Sequence, residues 1–334
     1  MSFNRVLGQD LAKQIIQKAL LNGSVAHAYL FYGPESIGKK LAAVEFAKAL
    51  NCQVSGPADG CDECPSCRKI EQGTHPDFFF LEPTKTSSSA REGAIRIEDV
   101  RELQRRLNFL PYEGKTKVAV VDSAELMNPQ AGNSFLKTLE EPPSNTVLIL
   151  IASNPRQLLP TIVSRCQGIR FQPLRAGEIK RILRLQEGLE PEEIELRTAQ
   201  SMGQVEKALN VDTARTDQLR RDLVEMIGTV SHARVDAVFA WSRTCAKQSD
   251  SIPEVLDQLT VLLRDLAFLK ARDDAALLHN KDLAGQLKPL AARKTLPAIL
   301  KMAEAAERTR RALQGNANAQ LALENMLLAF CDAA

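Results

Sequence analysis

Gly33-Pro34-Glu35-Ser36-Ile37-Gly38-Lys39-Lys40 follows the phosphate-binding pattern G-x-x-x-x-G-K-[ST] at every fixed position except the last. Glycines at these positions let backbone N–H groups curl around phosphate oxygens. The helix N-terminus that follows adds positive partial charge, and Lys39 is placed to reach β- and γ-phosphates. The flanks agree: His27 to Tyr32 predicts a short strand entering the loop, and Lys39 to Leu50 predicts a helix. The departure is Lys40. A Ser or Thr there would ligate Mg²⁺, whereas Lys40 sets an ammonium where the dication would sit. Gly33, Gly38, Lys39 and Lys40 are therefore the candidate residues of a degenerate phosphate loop, with any ATP or ADP binding expected to be weak.

Outward from the loop, Val118-Ala119-Val120-Val121-Asp122 is an apolar run ending in an acid, as expected of a central parallel strand that delivers a carboxylate to its C-terminal edge. Asp122 is the candidate metal-side acid; its plainer reading is a strand end that caps the next turn. A working ATPase carries a neighbouring Glu that orients the attacking water, and here that neighbour is Ser123. Glu125, two residues on, is offset and expected to point elsewhere.

Residues 5 to 23 show helical spacing of apolar positions, with Asp10 placed to cap the start. Gly73 to Asp77 predicts a turn, Phe78 to Leu81 a buried strand, Thr84 to Glu92 an exposed loop and Ile97 to Phe109 an amphipathic helix. A helix from about Pro129 to Glu141 is stopped by Pro142-Pro143, and strands follow at Thr146 to Ala152 and Ile169 to Phe171. Strands alternating with helices predict an α/β class with a parallel sheet covered on both faces. From Leu174 onward the pattern is almost entirely helical. The expected division is a base at 1–172, a small helical group at 173–211 and a longer array at 212–334. That array includes helices at Val255 to Lys270, Leu296 to Gln314 and Ala319 to Cys331.

A chain of 334 residues has room for two or three domains. It lacks an apolar run near the ~20 residues of a membrane span and shows no signal or transit segment at its start, which predicts no membrane association and a cytoplasmic location. A formal net charge of +2 excludes a strongly basic nucleic-acid coat.

Four of the seven cysteines cluster as Cys52-x8-Cys61-x2-Cys64-x2-Cys67. Four thiolates at this spacing can close a tetrahedral Zn²⁺ shell with no open position, the pattern of a structural zinc; an iron–sulfur cluster is the alternative. His75 could replace one cysteine, but beside Pro76 it reads as a turn residue. Asp59, Asp62 and Glu63 among the ligands, against only Arg68 and Lys69, make a poor phosphate surface and argue against a zinc-dependent DNA-binding module. Arg165, in Ser164-Arg165-Cys166 after a short helix, either faces solvent or completes a neighbour's active site; Cys166 reads as a small packed residue.

Several stretches together resemble the delta-prime family of clamp-loader subunits of bacterial DNA polymerase III, within the AAA+ superfamily. They are the His27 to Phe31 run before Gly33, the four-cysteine insert, Gly73 to Asp77, Leu136-Lys137-Thr138-Leu139-Glu140-Glu141-Pro142-Pro143, Ser164-Arg165-Cys166 and Asn316 to Glu324. The resemblance implies an AAA+ P-loop base, a helical lid and a helical collar, assembled in a hetero-pentamer with delta and gamma/tau subunits that loads a sliding clamp on primer-template DNA. It makes Arg165 a trans-acting arginine finger, matches the four cysteines to the family's zinc module, and likens Val6-Leu7-Gly8-Gln9 to the segment that frames adenine in related ATPases. It also aligns Glu206 with a lid arginine that contacts the γ-phosphate in the ATPase relatives. Lys40, Ser123 and Glu206 are three departures around one phosphate site, and they imply a stator subunit that does not hydrolyse ATP. The competing expectation is an active gamma/tau-like ATPase motor.

Overall fold

Alternation along the strands explains the layering. Val118 and Val120 enter one hydrophobic core while Ala119 and Val121 enter another, as a side-chain period of two demands of a strand buried on both faces. The computed structural model describes residues 2–333 apart from 55, 57, 85–92, 187, 211, 248–250, 273, 275–277 and 316. The loop expected at Thr84 to Glu92 thus falls almost wholly outside the described residues, as does Asn316.

Five parallel strands, β1 (Ala28–Tyr32), β2 (Phe78–Leu81), β3 (Lys117–Val121), β4 (Thr146–Ala152) and β5 (Gln167–Arg170), form one sheet in the order β2-β3-β4-β1-β5. This is the α/β arrangement with a parallel sheet covered on both faces that the sequence predicted. Helices α1 (Asp10–Leu21) and α2 (Lys39–Asn51) cover one face through Ile16, Leu20, Ala43 and Phe46. Helices α4 (Ile97–Leu107) and α5 (Pro129–Glu140) cover the other through Val100, Leu103, Phe135 and Leu139; α3 (Pro65–Glu71) packs on α2. Register pairs Tyr32 with Ala152 and Leu81 with Val121, so Gly33, Ser153, Asp122 and Glu82 all follow directly from carboxyl ends of strands along one edge.

Two expectations are corrected. Asp10 does not cap α1: the N-cap is Gln9, and Asp10 is the first helical residue, paired with Lys13 at 3.2 Å. Gln9 is instead buried, its amide donating to Ile37 O (3.0 Å) and Gln172 O (2.7 Å) and accepting from Gln172 N (3.0 Å). Helix α4 ends at Leu107 rather than Phe109, because Pro111 biases the preceding backbone away from helix and Phe109 and Leu110 lie exposed beyond it.

The chain packs as two compact units, Met1–Gly188 with Ser201–Ala208, and Leu189–Gln200 with Leu209–Ala334. Besides the sheet and its helices, the first contains α6 (Pro160–Val163) and α7 (Ala176–Leu183). The second holds α8 (Pro191–Gln200) and α10 to α15 (Thr213–Thr229, Val235–Lys247, Ile252–Arg272, Ala284–Arg293, Leu296–Gln314 and Ala319–Asp332); α9 (Val205–Asn210) straddles the division. Helix α12 is central to the second unit: Leu259, Leu262, Leu263 and Leu266 are fully buried among Leu223, Ile299, Met302, Leu323 and Phe330. The helical character expected after Leu174 is present throughout the described residues.

Candidate functional site

The phosphate loop joins β1 to α2 in the expected strand–loop–helix setting. Gly33 has φ 147°, and a Cβ there would come within 2.3 Å of Phe171 O, so only glycine fits. Gly38, at φ 96°, is the N-cap of α2 and provides no side chain to cover the first N–H groups. Lys39, 7% exposed, folds back on its own loop and donates to Gly33 O and Pro34 O at 2.5 Å each. Burial pushes its ammonium below the ordinary range, opposed by the charges of Glu125, Glu35 and Asp122.

Lys40 turns sideways to the end of β2. Its Nζ pairs with Glu82 Oε1 at 2.5 Å and lies 4.3 Å from the centre of the Phe80 ring. Asp122 accepts from Ser123 N at 2.9 Å, so it does close the turn after β3; burial raises its pKa, with Lys40 the main opposing charge. Lys40 is thus an ammonium among carboxylates, the electrostatic role of a cation without a metal's open coordination positions. Glu125 turns to the end of β4: its Oε1 accepts from Ser153 N (2.7 Å) and Ser153 Oγ, and its buried Oε2 has no hydrogen bond among the described residues.

Glu206, distant in sequence, arrives at the same loop. Ser36 Oγ donates to Glu206 Oε2 at 2.7 Å, and Val205 N donates to Ser36 O at 2.8 Å. A carboxylate therefore sits on the phosphate loop, where it would repel an incoming phosphate. Lys39, Lys40 and Asp122 lie within electrostatic reach of one another, while Glu206 reaches the loop at Ser36. Glu82 and Ser153 escaped sequence reasoning, although both directly follow apolar strand runs, a signal that could have found them.

The four cysteine sulfurs of Cys52, Cys61, Cys64 and Cys67 all lie within 4.8 Å of one another. A Zn–S bond of about 2.3 Å implies tetrahedral S···S edges of about 3.8 Å, so the set fits a metal ion. Cys64 N donates to Cys61 Sγ (3.2 Å) and Cys67 N to Cys64 Sγ (3.4 Å), contacts that stabilise thiolates. Cys64 is also the N-cap of α3, so the short helix orients two ligands at once. The module is fastened to α2 by the buried Lys48, which pairs with Glu45 (3.3 Å), Asp62 (2.9 Å) and Glu71, while Arg5 reaches Glu45 (3.2 Å) and Glu71 (3.0 Å). His75 is not among the ligands. Buried, it accepts from Asp77 N at Nδ1 (3.1 Å) with Nε2 on Ser66 Oγ (3.2 Å), and burial pushes its pKa down, so it is a neutral turn residue.

Arg165 lies just past α6 and bonds none of the phosphate-loop residues. Its NH1 donates to Thr161 O (3.0 Å), its NH2 pairs with Glu140 Oε1 (2.7 Å), and the side chain is 36% exposed. Burial pushes the Cys166 thiol up to about 12, in keeping with a packed residue.

A five-stranded parallel sheet with a phosphate loop after the first strand and a carboxylate after the third defines a P-loop protein of the α/β class, here with an altered phosphate site and a four-cysteine module. Residues 8–175 match the family described as DNA polymerase III, delta subunit, and residues 215–332 match its C-terminal family. The chain belongs to this family. It is 28% identical over 326 residues to the DNA polymerase III subunit delta' of Bacillus subtilis, covering 96% of this chain and 95% of that protein. The delta' subunit of Pseudomonas aeruginosa is 46% identical over 141 residues, 42% of each chain. The tau subunit of Bacillus subtilis is 28% identical over 288 residues, spanning 86% of this chain but 45% of that protein. The resemblance to delta-prime subunits drawn from the motifs is upheld. No helix among the described residues is long and apolar enough to cross a membrane.

Proposed function

We propose that the chain is the delta-prime stator of a clamp loader: it does not hydrolyse ATP, and it donates Arg165 to the nucleotide of an adjacent gamma/tau subunit. The observation that carries this reading is the self-satisfied phosphate loop. Lys39 is on the loop's own carbonyls, Lys40 is on Glu82, and the Glu206 carboxylate is on Ser36. Arg165, between α6 and β5, keeps 36% of its side chain exposed and so can meet another chain. A guanidinium brought to a transferring phosphoryl group stabilises its charge, an effect worth ~10³–10⁵ in rate where it has been dissected. Its partners in this reading are delta and gamma/tau subunits in a hetero-pentamer, the sliding clamp, and primer-template DNA held by the complex in the cytoplasm. The four cysteines hold a structural zinc that keeps the module folded on α2. The division into a base at 1–172, a lid at 173–211 and a collar at 212–334 is supported by the two family matches, which leave 176–214 between them.

The test is a reconstituted complex carrying Arg165→Ala. It should assemble normally and lose most DNA-stimulated ATP hydrolysis; turnover at the unsubstituted rate would overturn the finger role. The isolated chain should show no ATPase, and Mg²⁺-dependent turnover abolished by Lys39→Ala would make it a motor instead.

A further inference from the structure

Arg165 has a long side chain with four rotatable bonds, yet an arginine acting in trans must present its guanidinium in one orientation. Two close anchors supply this, beside a longer contact of NH1 with Ser164 Oγ at 3.5 Å. One is the Thr161 carbonyl, which receives NH1, and the other is Glu140, whose Oε1 receives NH2 at 2.7 Å. We infer that Glu140 is the positioning residue for Arg165, holding the guanidinium so that its remaining donor edge faces a neighbouring subunit's nucleotide; the inference rests on the finger reading above.

The framework that sets this contact is rigid. Glu140 is the last residue of α5, stopped by Pro142-Pro143, and follows Leu139, which is buried against the sheet. Arg165 N donates to Ile162 O at 3.1 Å, and Ile162 belongs to the same core as Leu139 and Phe135. Helices α5 and α6 pack on each other, so the carboxylate and the guanidinium are held in register by buried apolar contacts. Nε of Arg165 has no hydrogen bond among the described residues. The Nε–H and the second hydrogen of NH2 lie along one edge of the planar fork, the edge that can meet two phosphate oxygens. Glu140 and Arg165 are half-exposed, and such a pair contributes little to folding. Orientation is what the contact can supply.

The test is a set of reconstituted complexes with Glu140→Ala, Glu140→Gln, Arg165→Ala and the Glu140→Ala/Arg165→Ala pair, assayed for DNA-stimulated ATP hydrolysis. Loss of one orienting contact is expected to lower kcat about tenfold, with KM for ATP unchanged, because the finger acts from outside the subunit that binds the nucleotide. Glu140→Gln keeps an acceptor oxygen at the same reach and should recover most of the rate. That recovery distinguishes orientation from a role of the charge itself. In the Arg165→Ala background, Glu140→Ala should change nothing further. If Glu140→Ala turns over at the unsubstituted rate, or faster, while Arg165→Ala is impaired, Glu140 does not position the finger and this inference falls alone. If Arg165→Ala itself runs at the unsubstituted rate, the finger reading falls and takes this one with it.

Discussion

Replacing Glu206 with glutamine should strengthen ADP binding by the isolated chain, and replacing it with arginine should strengthen it further. Glu206 Oε2 accepts a hydrogen bond from Ser36 of the phosphate loop at 2.7 Å, and like charges about 5 Å apart, within the range over which neighbouring charges act on one another, repel. At an effective dielectric of about 20 that repulsion is about 3 kcal/mol per unit charge. Glu206 is exposed, and mobile ions screen it over about 8 Å at physiological salt, which leaves about 1 kcal/mol, or about five- to tenfold in Kd. Arginine reverses the sign and should add a similar factor again. In every variant Lys39 must leave Gly33 O and Pro34 O, so that cost cancels in the ratios. The assay is calorimetric or fluorescence titration with ADP at low and high salt, with Ser36→Ala as a control that frees the loop but retains the carboxylate. The reasoning is refuted if unsubstituted, Glu206→Gln and Glu206→Arg chains bind equally, or if Ser36→Ala alone reproduces the gain.

Other outcomes follow from the metal module and its supports. The purified chain should carry one metal ion, and Cys64→Ser should lose it and become protease-sensitive across 52–71; unchanged metal content would remove the cysteine cluster as a metal site. Lys48→Met should destabilise the first unit by about 1–3 kcal/mol in urea unfolding followed by circular dichroism, because the buried Glu45 loses one of its two cations and keeps only the half-exposed Arg5; no measurable change would contradict the burial argument. The chain should also be acid-labile through two carboxylates held below their usual range. The Arg5 hydrogen bond, seconded by Lys48 against the opposing effect of burial, lowers Glu71 to about 2. Burial opposes ionisation of Asp77 too, but N–H donors from Tyr112, Glu113 and Gly114 (2.7–2.9 Å) outweigh it. Since both folded-state pKa values are depressed, their stabilisation is fully present above the unfolded carboxylate range near about 4 and is lost as pH falls toward about 2. Asp77→Asn should therefore flatten the acid limb of the stability profile, measured as urea midpoints between pH 5 and pH 2.5; an unchanged limb would count against the Asp77 contacts.

The features legible in the residues were those set by neighbours along the chain. Glycine spacing and the strand before it marked the phosphate loop, because backbone curvature there depends on consecutive residues. The C-x-x-C spacings marked a metal module for the same reason, and apolar periodicity placed the strands and helices α2, α4, α5, α14 and α15 within a residue or two of their observed ends, whereas α1 starts at Asp10 rather than near residue 5 and α12 at Ile252 rather than Val255. Capping was less legible: Asp10 has the chemistry of a cap, but burial of Gln9 against Ile37 and Gln172 sets the start of α1.

What the tertiary structure alone decided is which side chains share a charge. Lys40, in the first turn of α2, meets Glu82 although β1 and β2 are separated by two strands in the order β2-β3-β4-β1-β5, and Glu125 meets Ser153 because β3 lies beside β4. Ser36 and Glu206 are 170 positions apart, and no periodicity in either segment predicts their hydrogen bond. Glu140 and Arg165 meet through the packing of α5 on α6. Each of these contacts depends on sheet order and helix packing, which buried apolar area across the whole first unit selects cooperatively, and no local pattern encodes it.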